Sequence, residues 1–190
     1  AKPRWKFKNS YFYLERNPVK ILIIAPYTPF PPDAGGRIRM FEEINILSQK
    51  HEVAVVYFVY TNRELKASLG LQNFCAKVKP VLYTDFVKIQ SNTPRIIQEY
   101  VTNEMTGTVI ALQKEFIPEV AIVQHIYMSH YRSLLPQFTV LEEHNIESKI
   151  LERASDLIKN DFPKSLTRTN AVRVFKNSEH QAKLMVDYEN

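Results

Sequence analysis

Lys20-Ile-Leu-Ile-Ile-Ala25 and the segment after it, Pro26 to Gly36, decide the fold of this chain. A continuous apolar run that ends at prolines and glycines is typical of a strand buried on both faces. The next apolar residues recur at helical spacing (Ile38, Met40, Phe41, Ile44 and Leu47), and a second apolar run covers 53–60. Strand, glycine turn, helix and strand form one βαβ unit, which predicts a parallel and right-handed start.

The rest of the chain continues this alternation. The patterns predict strands over 78–83, 120–124 and 138–141, a helix over 93–116 that breaks at Gly107, and a helix over 146–159. That last helix has six residues predicted to face inward: Ile146, Ile150, Leu151, Ala154, Leu157 and Ile158. We therefore expect an α/β fold, a Rossmann-like open and mainly parallel sheet with helices on both faces. The chain is thus predicted to have three segments: a basic aromatic arm (1–19), the α/β domain (20–160) and a C-terminal helix (161–190).

Composition limits the class of protein. With 45% hydrophobic and 24% charged residues, the 190-residue chain has an ordinary globular balance. Its one cysteine, Cys75, excludes an internal disulfide framework and a cysteine zinc site, and its surroundings predict a buried helix position. A reducing compartment is the default, so we expect a cytoplasmic location. No apolar run approaches the roughly 20 residues that a membrane-spanning helix needs.

The positive charge is concentrated at one end. The net charge of +5 equals that of residues 1–20 alone, which hold six cations and Glu15. A nucleic-acid-binding domain carries its charge on the folded face that meets phosphate, so no nucleic-acid partner is expected. The arm is interpreted as an edge strand packed on the domain, or as a segment that associates with a membrane surface.

Ligands of open α/β sheets bind outside the carboxyl ends of the strands, where the strand order reverses. By this rule, three loops are the candidates for a ligand site: 26–37, 124–131 and 142–148. In the first, Gly35 and Gly36 let the backbone approach a ligand, the helix start offers N–H groups to an anion, and Arg37 adds a cation. The alternative is a tight turn with Arg37 in solvent. Neither a dinucleotide fingerprint nor a Walker motif occurs.

Histidines follow the fourth and fifth strands. His125 at the sheet edge can take a proton from a hydroxyl near neutral pH, or it can be satisfied by a backbone carbonyl. His130 is predicted to lie on the surface of a helix. In the segment from Glu142 to Glu147, Asn145 is a candidate helix N-cap. His125, His144 and a glutamate are residue types that bind zinc, but they lack the tight spacing of a zinc-binding motif. No metal is therefore expected.

A family resemblance joins these segments. The stretch from Lys20 to Glu42, the strand from His51 to Val56 and the segment from Glu142 to Glu147 resemble family-four retaining glycosyltransferases. The resemblance covers about residues 20–160. It implies one half of a two-domain GT-B enzyme, with no metal or other cofactor. It further implies that Gly35 and Gly36 approach the diphosphate of a nucleotide-sugar donor and that His125 faces the reacting sugar; Arg37, His144 and Asn145 complete the expected substrate contacts.

A full enzyme of this type has about twice this length. We therefore expect the acceptor-side, N-terminal half, nearly inactive alone, with a sugar, lipid-linked or protein-borne acceptor. The helix within 161–190 would be a connection to an absent donor-binding domain, and its exposed apolar stripe would favour a homodimer. Two alternatives remain: a non-catalytic α/β module that binds a ligand or partner, and a nucleic-acid or membrane-surface protein that acts through residues 1–20.

Overall fold

The computed structural model describes residues 17–84, 86–87, 92–160, 181 and 183–186, with only the backbone for 157–160. Its centre is one sheet of five parallel strands in the order β3-β2-β1-β4-β5. The strands are β1 (Lys20–Ala25), β2 (Glu52–Val59), β3 (Lys77–Leu82), β4 (Val120–Gln124) and β5 (Phe138–Glu142). This sheet confirms the α/β, Rossmann-like fold class.

Helices cover both faces of the sheet, as the sequence predicts. They are α1 (Gly35–Ser48), α2 (Asn62–Ser68), α3 (Arg95–Gln98), α4 (Asn103–Phe116) and α5 (Glu147–Asn160), with 3-10 helices at Leu69–Asn73 and Ile126–Leu134. Helix α1 packs Met40 and Ile44 onto one face. Helix α4 packs Met105, Val109, Leu112 and Phe116 onto the other. Two apolar layers therefore enclose the middle strands.

The central position of β1 explains its unbroken apolar sequence. Its side chains alternate between the two layers, so that Leu22 joins one core cluster and Ile23 the other. Both side chains are 0% exposed. Burying one such side chain stabilises the fold by about 1.5–3 kcal/mol. Strand β1 pairs with β2 on one side and with β4 on the other, which fixes the carboxyl ends of β1 and β4 next to each other.

The predicted helix over 93–116 is wrong as one unit. The chain forms α3 and α4 instead, and Gly107 lies inside α4 rather than at a break. The new helix begins where Thr102 caps it: the Thr102 side chain accepts a hydrogen bond from the Met105 N–H at 3.1 Å. Cys75 is buried as predicted, but it follows the 3-10 helix Leu69–Asn73 rather than lying in a helix.

The inward stripe predicted for α5 is also wrong at two of its residues. Ile146 is 63% exposed and Ile150 is 42% exposed, whereas Glu147, Ser148 and Ser155 are buried. The reason is that the inner face of α5 meets polar groups. Burial and then the neighbouring Glu147 raise the pKa of Tyr127, which lies just after the end of β4. A hydrophobic period alone does not reveal a helix whose buried face is polar. The side chains of Leu157 and Ile158 lie outside the description.

Most of both terminal segments lies outside the described residues, including 1–16 of the predicted arm. In the predicted C-terminal helix, Gln181 and residues 183–186 are helical. Met185 is fully buried against Ile97 and Ile126, so the expectation of an exposed apolar stripe is wrong at this residue. Of the helices within the described residues, none combines the length and the hydropathy needed to cross a membrane.

Candidate functional site

The site lies at the reversal of the strand order. From β1 the chain builds outward through β2 and β3, and it then returns to the other side of β1 to add β4 and β5. The helices that follow β1 and β4 leave in opposite directions, which opens a crevice between them. A cleft of about 320 Å³ occupies this place. Six of its lining residues come from the three loops ranked from the sequence (Tyr27, Gly35, Gly36, His125, His144 and Asn145), and Arg39 of helix α1 completes it.

One wall of the cleft is the first turn of α1. The residue before the helix, Ala34, gives no side-chain cap, and the first turn holds no acidic residue. The N–H groups of this turn are therefore available to a ligand, and the helix dipole makes this end positive. Gly36 has a steric reason to be glycine. A Cβ there would lie 2.3 Å from Tyr27 Oη and 3.7 Å from His144 Nδ1, whereas a Cβ at Gly35 meets nothing within 4 Å.

His125 lies at the mouth of β4 in a strained backbone conformation, with φ 65° and ψ 146°. Its ring stacks on Tyr127 at 5.1 Å and 2°, and Tyr127 stacks on Tyr100 at 5.2 Å and 9°. His125 Nε2 and Tyr27 Oη are hydrogen-bonded at 3.2 Å. Among the described residues, His125 Nδ1 is buried and has no hydrogen-bond partner. Strain, stacking and a hydrogen bond together fix this ring in the cleft wall.

The aromatic and histidine side chains of the cleft are held neutral. Burial, and then the neighbouring His144 and Arg39, lower the pKa of His125 to about 4. Burial and Arg39 also lower the pKa of His144. Burial, and then Tyr100, raises the pKa of Tyr27. At neutral pH the His125 ring is unprotonated, and its low pKa makes it a weak base, so its role as a base stays a prediction.

A network of polar side chains at the carboxyl ends of β4 and β5 supports the cleft. The fully buried Gln124 donates through Nε2 to Glu43 and to Glu142 (3.0 Å), and its Oε1 lies 2.9 Å from His144 Nε2. Arg39 Nε donates to Glu142 at 2.7 Å. Burial, followed by the Glu142 charge, raises the pKa of Glu43 to about 7. Burial also acts to raise the pKa of Glu142, but hydrogen bonds from Gln124, Glu43 and Arg39 outweigh it and lower the pKa.

The cation that lines the cleft is Arg39, not the predicted Arg37. The Arg37 guanidinium contacts Asp33 at 3.2 Å and Glu64 at 3.0 Å, and it is not part of the cleft lining. In the described part of the chain, only Nε of Arg39 is hydrogen-bonded. The Nη groups are therefore available to an anion in the cleft.

Asn145 lines the cleft but does not cap α5. The helix begins at Glu147, and the Ile146 carbonyl accepts from the N–H groups of Lys149 and Ile150. By this criterion Ile146 is the N-cap residue, one position later than predicted. The exposed Asn145 side chain thus remains available to a ligand. His130 is exposed on the 3-10 helix after β4, as predicted.

Sequence reasoning missed several contributors to the site. The sequence assigns no role in the site to Arg39, Glu43 or Gln124, and it suggests Tyr27 only as an aromatic residue near the acceptor sugar. One signal was present, because residues 36, 39 and 43 share one face of a helix that starts at the glycines. Within the described residues, no three side chains of His, Cys, Asp or Glu come together in a group that could hold a metal ion.

Comparison with known proteins adds little beyond the fold. No protein-family model matches the sequence. No curated protein matches it either. Among solved structures, Phytolacca americana UGT2 complexed with UDP-2fluoro-glucose and pterostilbene is similar at 10% identity and a TM-score of 0.43, over 87% of this chain and 46% of that one. The transcriptional regulator Gal80p from Kluyveromyces lactis is similar at 11% identity and a TM-score of 0.35, over 75% of this chain and 37% of that one.

The chain thus spans less than half the length of each of these structures. At such low identities and TM-scores, the chain's own sheet and cleft carry the functional argument. They define the class of protein as a Rossmann-like α/β domain with a polar cleft at its topological switch point.

Proposed function

We propose that this chain is the acceptor-side, N-terminal domain of a retaining glycosyltransferase and that its cleft receives the diphosphate and sugar of a nucleotide-sugar donor. The observation that carries the proposal is the uncapped first turn of α1 opening into the cleft beside Gly36 and His144. Free N–H groups at a helix start are suited to a diphosphate. The resemblance of residues 20–42 and 142–147 to family-four enzymes supports the same assignment.

The cleft offers complementary groups to the two parts of such a donor. The α1 turn and the Arg39 Nη groups supply positive potential for the diphosphate. Tyr27 and His144, both neutral, supply hydrogen-bonding atoms for sugar hydroxyls, and His125 Nε2 holds the Tyr27 hydroxyl in place. The Glu142 charge beside them is compensated by Arg39 and Gln124. In this proposal His125 acts on the donor through the Tyr27 hydroxyl that it holds.

The remaining contacts of a transferase would come from a second domain, because transfer requires donor and acceptor to be held together in a closed, water-excluding cleft. The proposal therefore includes three parts besides this chain: a nucleotide-sugar donor, an acceptor and a second domain. The acceptor is a sugar that is free, lipid-linked or protein-borne. We expect the chain alone to bind a nucleotide sugar weakly, with a Kd on the order of 1 mM, and to turn it over little or not at all.

Gly36→Ala tests the proposal with one methyl group. The new Cβ forces the Tyr27 hydroxyl away from its present position and narrows the cleft beside His144. We expect UDP-glucose binding, measured by isothermal titration calorimetry, to weaken by at least about tenfold. Gly107→Ala is the matched control, because a Cβ at Gly107 meets nothing within 4 Å and the residue lies in α4. Equal binding by both variants would count against the donor site.

A non-catalytic ligand-binding module is the second candidate. The observation that favours it is the low pKa of His125, about 4, which makes the unprotonated ring only a weak base at neutral pH. The two candidates differ in reactivity. A glycosyltransferase domain joined to its donor-binding partner domain transfers or slowly hydrolyses the sugar, and the rate falls with Gly36→Ala. A binding module releases no UDP from UDP-glucose under any of these conditions.

A further inference from the structure

We propose that Gln124 is a positioning residue that fixes the tautomer of His144, so that His144 Nδ1 accepts a hydrogen bond from a hydroxyl group of the sugar bound in the cleft. This inference rests on the proposed function and deepens it. It assigns a role to a buried residue that makes no contact with the cleft itself and acts only through His144.

The two carboxyl groups determine the orientation of the Gln124 amide. Its nitrogen lies within hydrogen-bonding distance of Glu43 and Glu142, two groups that offer acceptor oxygens. An amide nitrogen carries two hydrogens, and both are used here. The reverse orientation would turn the amide oxygen toward two carboxyl groups. The amide oxygen therefore faces His144.

The orientation of the amide determines the proton position on His144. Gln124 Oε1 lies 2.9 Å from His144 Nε2, and a carbonyl oxygen can only accept. Nε2 must therefore carry the hydrogen, which in a neutral imidazole leaves Nδ1 as an acceptor. The ring is neutral because burial and the Arg39 charge lower the pKa of His144.

The free acceptor is directed to the proposed donor site. His144 Nδ1 lies 3.7 Å from the position of a Cβ on Gly36, at the first turn of α1, and His144 lines the cleft. Among the described residues, no hydrogen bond engages Nδ1. An acceptor nitrogen repels a phosphate oxygen but binds a hydroxyl hydrogen. The chemistry at this position thus selects the sugar part of a nucleotide sugar rather than its diphosphate.

The tautomer is measured directly by ¹⁵N NMR of the histidine ring in the wild-type chain at pH 7. Protonated and unprotonated ring nitrogens have well-separated ¹⁵N shifts, so the result does not depend on any ligand. We expect a protonated Nε2 and an unprotonated Nδ1 on His144. A protonated Nδ1 would overturn the inference.

The ligand part is tested with UDP-glucose and UDP as a pair of probes. Gln124→Met keeps the side-chain length but removes the amide, so we expect the preference for UDP-glucose over UDP to fall by about tenfold and the His144 tautomers to mix. His144→Phe is a second variant, in case Gln124→Met does not fold. Its ring is similar in shape but has no nitrogen to accept a hydrogen bond, so we expect the same loss of preference.

The double variant separates a positioning role from a general structural role. In the His144→Phe background, Gln124→Met should cause no further loss of the UDP-glucose preference, because Gln124 acts through His144. Unchanged preference in both single variants would overturn the inference while leaving the donor site intact. Failure of the wild-type chain to bind either probe would instead overturn the proposed function, and with it the role of the sugar hydroxyl.

Discussion

At the scale of single residues, the site depends on side chains held in conformations that the sequence does not announce. His125 combines a positive φ of 65° with a ψ of 146°, a region that is nearly restricted to glycine. Such strain persists only where surrounding contacts outweigh it. Here the Tyr127 stack and the Tyr27 hydrogen bond hold the ring at the mouth of β4.

Because of this strain, we expect glycine to be a more stable replacement than alanine at His125, which is the reverse of the usual order. His125→Gly should be more stable than His125→Ala by about 1–3 kcal/mol, because glycine adopts this backbone conformation without cost. The measurement is urea unfolding of both variants. The exposed His130 in the following 3-10 helix provides the matched control, and there we expect alanine to be the more stable replacement by about 0.5–1 kcal/mol. The same order at both positions would contradict the account of His125.

At the scale of elements, the parts fixed by local pattern were predicted well and the parts fixed by tertiary contacts were not. Strand β1 and helix α1 follow from an apolar run, two glycines and a helical period, and all three are visible in sequence. The polar inner face of α5 at Glu147 and the cap at Thr102 depend on partners elsewhere. No local period could have found them.

The same distinction applies to the site. The rule about the carboxyl edge of a parallel sheet brought Gly36, His125 and His144 together from three separate loops. It did not reveal which arginine lines the cleft, because that depends on where α1 begins relative to the glycines. Arg37 is held by Asp33 and Glu64, so that Arg39, further along the helix, reaches the cleft.

The end of α4 carries a second strained residue. Ile117 follows the helix in the left-handed region, at φ 53° and ψ 63°, and is 68% exposed. Ile117→Gly should therefore stabilise the protein by about 1 kcal/mol in urea unfolding, since a Cβ is costly in this conformation and little apolar contact is lost. The control is Ile110→Gly within α4, where we expect a loss of about 1 kcal/mol. Destabilisation by both changes would refute the assignment of strain.

At the scale of the whole molecule, the polar network joins α1 to the end of the sheet. Glu43 lies on α1, Gln124 on β4 and Glu142 on β5, so their hydrogen bonds link three elements that are far apart in sequence. Burial, followed by the charge on Glu142, opposes ionisation of Glu43, so that the carboxyl pair keeps one proton to a higher pH than a free glutamate does. The network should therefore make the stability of the fold depend on pH.

The sign follows from the raised pKa of Glu43, about 7 in the fold against 4.5 as its ordinary value. Between these values the folded state keeps a proton that the unfolded state has lost, so this contribution to stability falls as pH rises. Glu43→Gln removes the ionisation and keeps an oxygen that accepts from Gln124. We expect it to be more stable than the wild type at pH 8 by about 1 kcal/mol, since partial solvation screens the Glu142 charge, and to lose this advantage at pH 4.5.

Urea unfolding at both pH values checks this prediction. Glu42→Gln is the matched control, because it makes the same charge change at an exposed neighbouring position of α1. His125, whose pKa is lowered to about 4, contributes stability that is lost as pH falls from 6.5 toward 4, but this contribution is common to all three proteins and cancels in the difference. An equal effect of Glu43→Gln and Glu42→Gln at pH 8 would argue against the shared proton.

The most direct measurement of the donor site is a titration of the ¹⁵N-labelled chain with UDP-glucose, followed through the backbone amide signals. The account predicts that the amides of Gly35 and Gly36, at the first turn of α1, shift progressively with a Kd on the order of 1 mM, while the Gly107 amide in α4 stays unchanged. Shifts confined to other regions, or none at a UDP-glucose concentration of about 10 mM, would contradict it.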